Sequence, residues 1–160
     1  MPHVTIEYMI MMPILIMQIF LFPLTASWLM NIWVDSRRTL ALQDVASHLG
    51  SAIQQLYFSL NHDTISAGTT TYSPGLPPFI EDLPYVGNAT LRTVLEQPLN
   101  SSNILDLTVR LISTRTSVTT SVVLGPNVSW KSSLFIGNST NAIVAAQKFS
   151  NGTISLSFGN

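Results

Sequence analysis

Cysteine is absent from all 160 residues, which excludes disulfides, thiolate metal sites and thiol nucleophiles. Charge is scarce as well. Charged side chains make up 9% of the chain and the formal net charge is −1, so nothing in the sequence would draw nucleic acid or another polyanion. Among the 7 basic residues only Arg37 and Arg38 are adjacent. Histidine occurs at positions 3, 48 and 62 and nowhere after, so no Ser-His-Asp arrangement can form within the later part of the chain. His48 and His62 show no metal-ligand spacing with Asp44 or Asp63 and read as solvent-facing or interface residues. The phosphate-loop, dinucleotide, nucleophile-elbow and zinc-protease motifs are all missing. Glu81-Asp82, adjacent in a proline-rich loop, read as solvated surface rather than as an acid–base couple. The expectation is a protein that is not an enzyme, with no metal and no cofactor.

What the sequence does have is a long run without charge. Tyr8 to Val34, YMIMMPILIMQIFLFPLTASWLMNIWV, contains no ionisable side chain except its leading tyrosine. A bilayer core needs about 20 apolar residues in a helix, and this run meets that length. It is too long for a signal-peptide core and no small-residue cleavage pattern follows it, so it reads as a retained segment. Thr5 is placed to cap a helix starting near Ile6. Glu7 is the one charge in the first 34 residues. It either sits favourably at the positive end of the helix dipole or needs a partner, such as the amine of a neighbouring copy. Pro13 and Pro23 each remove a helical hydrogen bond, which implies neighbours to satisfy the freed carbonyls. Gln18, Thr25, Ser27 and Asn31 can bond across helices. Trp28 and Trp33 stand where an interfacial belt would lie, ahead of Asp35, Arg37 and Arg38.

Beyond the run, residues 35–62 continue as an amphipathic helix. Leu42, Val45, Leu49, Ala52 and Leu56 recur at steps of three and four, which lines one side of a helix. A seam this short suits packing on the protein's own domain better than a coiled coil. Gly50 costs this helix about 1 kcal/mol relative to alanine and suits a close approach by a neighbour. If residues 5–62 are helical throughout, the rod is roughly 80 Å long at 1.5 Å per residue. The hundred residues that follow are too few to bury it.

Residues 63–87 hold Pro74, Pro77, Pro78 and Pro84 with Gly68, Gly75 and Gly87 and read as an extended connector. Period-two alternation then takes over in residues 88–160. Ala89, Leu91, Thr93 and Leu95 form one candidate inner face. Leu105, Leu107, Val109 and Leu111 form a second, with Asp106, Thr108 and Arg110 outward. Val118, Val122 and Leu124 form a third, and Gly125-Pro126-Asn127 turns the chain into Val128, Trp130, Leu134 and Ile136. Residues 141–149 are ambiguous, while Asn151-Gly152 is a hairpin turn leading to Ile154, Leu156 and Phe158. Five or six antiparallel strands are predicted, in a β-rich domain that holds one modest core. The fold class is therefore α+β: a long N-terminal helix, apolar over 8–34, followed by a small antiparallel sheet or sandwich.

Asn88, Asn100, Asn127, Asn138 and Asn151 each begin an N-x-[ST] sequon without a central proline, which makes them candidate N-glycan sites. Taken literally, Arg37-Arg38 against a single basic side chain upstream would hold the β-domain in the cytoplasm. The sequons weigh the other way and place it outside.

The segment Val4 to Phe20, VTIEYMIMMPILIMQIF, resembles the N-terminal helix of type IV pilin-like proteins, particularly archaeal pilins and pseudopilins. The resemblance lies in the polar start, the early glutamate and the apolar run with its helix breakers. It covers about the first 35 residues, and the layout of helix plus β-rich head extends it to the whole chain. It departs from the family in two respects. The basic leader ending in Gly, Ala or Ser has no counterpart in Met1-Pro2-His3, and tryptophans are not typical of the apolar stretch. The resemblance implies a filament subunit held in the membrane by its helix, then extracted by a pilus assembly machinery so that copies bundle in a filament core. It implies glycosylated heads outside, a partner that is the chain itself, and an extracellular or cell-surface location. Carried over by position, Glu7 would aid docking, with Tyr8, Pro13, Ile14, Phe20, Phe22 and Pro23 in the assembly surface. The alternative is a single-pass anchored surface protein, or a minor pseudopilin, that does not polymerise alone.

Overall fold

The computed structural model describes residues 3–96 and 100–159, with side chains described over 8–94 and 101–159. The chain divides into two compact units, Met1–Arg37 and Arg38–Asn160. One helix, α1 (His3–Leu60), contributes to both.

In the first unit every side chain from Tyr8 to Trp33 is exposed. The unbroken apolar character explains this, because a helix that is hydrophobic on all sides offers no face that one small domain could cover. Pro13 and Pro23 lie inside α1 without ending it. The Thr25 hydroxyl lies 3.0 Å from the carbonyl oxygen of Leu21 and 2.9 Å from that of Phe22, folding its polarity back onto the backbone just after Pro23. At the end of the unit the Arg37 guanidinium carbon sits 4.9 Å from the centre of the Trp33 ring, a cation–π distance.

The second unit combines residues 38–60 of α1 with eight strands. These are β1 (Gly68–Tyr72), β2 (Tyr85–Glu96), β3 (Asn100–Leu111), β4 (Ser117–Leu124), β5 (Val128–Trp130), β6 (Leu134–Ile136), β7 (Ile143–Lys148) and β8 (Ile154–Gly159). They form two four-stranded sheets, ordered β1-β7-β8-β5 and β4-β3-β2-β6. All pairings are antiparallel except β5 with β8. The α+β layout of a long helix followed by a β-sheet domain is thus the observed one.

One apolar core joins the helix to both sheets. The helix contributes Leu42, Val45, Ala46, Leu49, Ile53, Leu56, Tyr57 and Leu60, a series spaced at three and four that puts them on one side. The amphipathic seam therefore packs on its own domain. Gly50 is part of the reason it can: an added Cβ there would lie 3.0 Å from a Val122 methyl of β4. Leu105, Leu107, Val109 and Leu111 are fully buried on β3, as are Ile154 and Leu156 on β8, where Phe158 is buried too. Phe135 brings the sheets together, with its ring 6.4 Å from Tyr85 and 5.5 Å from Phe158.

Several sequence-based expectations need correction. The connector is not wholly irregular, because β1 lies within residues 63–87 and pairs with β7, and β2 already begins at Tyr85. Leu134 is half exposed while Phe135 is buried. The chain leaves one sheet after β5 and joins the other at β6, so the alternation does not carry its phase across the gap. Residues 143–148, which the pattern left ambiguous, form β7. Ile80 and Leu83 bridge to each other, with N-to-O distances of 3.0 and 2.9 Å. They enclose Glu81 and Asp82, both at positive φ (48° and 63°). That is the geometry of a two-residue hairpin turn, and it places Glu81 3.2 Å from the Arg38 guanidinium.

Candidate functional site

The candidate surface in the first unit is the outer side of α1 itself. Tyr8, Ile14, Phe20 and Phe22 expose 69, 53, 69 and 76% of their area. A hollow of about 590 Å³ beside Pro23 is lined by Leu15, Gln18, Ile19 and Phe22 among others. Contiguous apolar surface on this scale marks a site that something else must cover, and α1 is apolar and long enough to cross a membrane. The side chain of Glu7 lies outside the described residues, as does that of Asn100.

The sequon asparagines differ in their surroundings. Asn88 and Asn138 are exposed. Asn151 is exposed too, and its side-chain oxygen accepts a hydrogen bond from the Thr153 N–H at 3.0 Å, shaping the turn in which Gly152 takes φ 82°. Asn127 is different. Its amide nitrogen donates to the Asn61 side-chain oxygen at 2.8 Å and to the Gly152 carbonyl at 3.0 Å. Its oxygen accepts from the Tyr57 hydroxyl at 2.8 Å. Both amide hydrogens are thereby used, and this one side chain ties the end of α1 to the loop before β5 and to the β7–β8 turn.

On the outer face of β2, β3 and β4, Asp106 accepts from the Ser121 hydroxyl and from the Arg92 guanidinium, each at 2.6 Å. The Ser121 hydrogen bond first, and the Arg92 hydrogen bond second, hold its carboxyl below the ordinary carboxylate range. Beside it Thr108 and Thr119 share a hydroxyl contact of 2.9 Å across the strands. These contacts stabilise strand pairing and leave no reactive group poised.

A cleft of about 330 Å³ opens where α1 meets β1 and the proline loop. Asp44, His48, Ser51 and Gln55 line it from the helix, and Tyr72 and residues 74–77 from the other side. The His48 Nδ1 is 3.7 Å from an Asp44 carboxylate oxygen. Tyr85 donates its hydroxyl to the Pro77 carbonyl at 2.7 Å, and burial pushes its pKa up to about 12. Sequence reasoning missed this cleft. The helix positions 44, 48, 51 and 55 do stand on one side, next to the buried seam, but only the β1–β7 pairing carries Tyr72 up to them.

Among the described residues no group of three or more His, Cys, Asp or Glu side chains could hold a metal ion. No known protein family, curated protein or solved structure matches the chain. What the structure itself displays, an apolar N-terminal helix and a separate small β-domain, is consistent with a pilin-like architecture in general.

Proposed function

We propose that this protein is the structural subunit of an extracellular, type IV pilus-like filament. The observation that carries the reading is the exposure of every side chain from Tyr8 to Trp33, together with a core in the second unit that the later part of α1 already fills. Such a helix is covered by lipid before assembly and by the same helix of other copies afterwards. Moving a large apolar side chain out of water contributes roughly 1.5–3 kcal/mol, so the gross gain relative to water is tens of kcal/mol per subunit. Relative to lipid the gain is small, and close packing with polar contacts decides the outcome. Gln18 and Asn31 supply polar contacts and the hollow beside Pro23 supplies room for a neighbour. Glu7 docks the incoming subunit, and Asn88, Asn138 and Asn151 present glycans on the outer heads.

The test is to shear the outer surface of producing cells and examine the released material by negative-stain microscopy with a labelled antibody. Filaments decorated along their length support the reading, and a chain that stays wholly in the membrane fraction overturns it. Glu7→Ala should lower filament yield while the β-domain stays folded; an unchanged yield removes the docking role.

A second reading, a single-pass anchored surface protein, is favoured by one contact. Arg37 stacks on Trp33 where the apolar run ends, as an anchor at the headgroup level would.

A further inference from the structure

The cleft between α1 and the proline loop is not explained by assembly of apolar helices. We propose that it is a carbohydrate-binding site that takes one pyranose ring. Its volume, about 330 Å³, lies at the lower end of the range for small-molecule pockets, so it suits a single ring and not an extended ligand. One wall, Ala52 apart, is polar without being strongly charged. Asp44 offers acceptors only, whereas Ser51, Gln55 and His48 each offer a donor and an acceptor. They stand at 44, 48, 51 and 55, so successive side chains rise along one helical stripe. The facing wall is apolar, made by Tyr72 and the loop of Pro74, Leu76 and Pro77. A pyranose has hydroxyls around its rim and an apolar C–H face, and this pair of walls offers a partner to each.

Other ligand classes fit less well. A zinc-type site takes three or four ligands from protein, whereas Asp44 and His48 are two, and among the described residues no group of three or more His, Cys, Asp or Glu could hold a metal ion. An anion would meet the Asp44 carboxylate. A wholly apolar molecule would cover the four helix side chains without offering any of them a hydrogen bond, which is costly.

The site is also held in shape before any ligand arrives. The Tyr85 hydroxyl fixes the Pro77 carbonyl, prolines stiffen the loop, and Tyr72 is pinned in β1 opposite Val144 of β7. Walls that need no reordering on binding retain more of the contact energy as affinity. The sugar can be the end of a chain or a residue within one.

The proposal does not rest on filament formation, and its test uses the undivided chain kept monomeric in an amphipathic polymer free of sugar-headed detergent. Methyl glycosides of glucose, galactose, mannose and N-acetylglucosamine, and a linear oligosaccharide of each, are titrated and followed by saturation-transfer NMR. We expect at least one ligand to saturate at one site per chain. Binding of the methyl glycoside assigns a terminal residue, and binding of the oligosaccharide alone assigns an internal one. Tyr72→Ala and Asp44→Ala should each weaken it by about tenfold, the scale of one lost contact of this kind, while Tyr72→Phe, which keeps the ring, stays within about threefold. If circular dichroism shows that Tyr72→Ala has lost its sheet, Ser51→Leu serves instead, since it fills the cleft from the helix and should abolish binding. No saturation by any of these ligands at millimolar concentration overturns the proposal. So does binding that survives Asp44→Ala and Ser51→Leu unchanged.

Discussion

Residues 8–33 and residues 42–60 belong to one helix, yet they solve the problem of apolar surface in opposite ways. In the later segment Leu42, Val45, Leu49 and Ile53 are buried while Gln43, Asp44, Ser47 and His48 stay exposed. In the earlier one Ile14, Leu15, Ile16 and Met17 are consecutive and all exposed. A stripe can be matched by a sheet from the same chain, whereas a cylinder must be surrounded from outside. The contrast teaches that hydrophobicity alone does not say where a residue goes. Its period does.

The sharpest way to break this comparison is to truncate one leucine in each segment. Leu49→Ala should cost the head about 4 kcal/mol, because a fully buried leucine leaves both lost transfer energy and a cavity. Leu15→Ala should leave the urea midpoint of the head unchanged. Equal shifts in the two variants, read by circular dichroism of the β-domain, would refute the division. Next in size is the tie at the end of the buried segment. Asn127→Ala removes the partners of Tyr57, Asn61 and Gly152 together, and is expected to cost about 3 kcal/mol. Tyr57→Phe should cost about 1 kcal/mol; a larger loss than in Asn127→Ala would mean that the asparagine is not the hub.

An effect smaller than the loss of Asn127 comes from alkali. Tyr85 keeps its proton to about 12 in the folded head against an ordinary 10.0, so the unfolded chain loses that proton first. Its contribution is whole below about pH 10 and falls as pH rises through about 12, by on the order of 2 kcal/mol. Denaturation midpoints measured between pH 9 and 12 should show this decline, and Tyr85→Phe should flatten it. The least effect is expected at the start of the buried segment, where the Glu81-Asp82 turn meets Arg38. Asp82→Gly relieves a left-handed residue and should stabilise by about 1 kcal/mol in thermal melts. A destabilised variant would show that the turn is held by the Asp82 side chain.

How much of this could be read in advance follows from the same physics. The helical seam and the inner faces of β3 and β8 were legible because each meets water on one side and core on the other, which writes a period into the residues. The turn at Asn151-Gly152 was legible because its geometry demands special residues. β1 was hidden in the connector because all five of its residues are exposed, so no alternation marks it. β7 was blurred by Ala145 and Ala146, neighbours of equal size on opposite faces. The turn at Glu81-Asp82 carries no glycine or asparagine to announce it. The cleft needed Tyr72 to be brought to Asp44 by strand pairing, a relation between distant residues that no local window contains. Asn127 looked like its four fellow sequons, since its role depends on Tyr57 and Asn61, far away in the chain.

That last residue has a consequence for the order of events in the cell. Joining a sugar to the Asn127 amide would take one of the two hydrogens that grip Asn61 and Gly152, so modification there and closure of the head would draw on a single nitrogen. Were Asn127 to carry a glycan, the head would have closed with one amide hydrogen fewer at this clasp, while the oxygen that accepts from Tyr57 would remain.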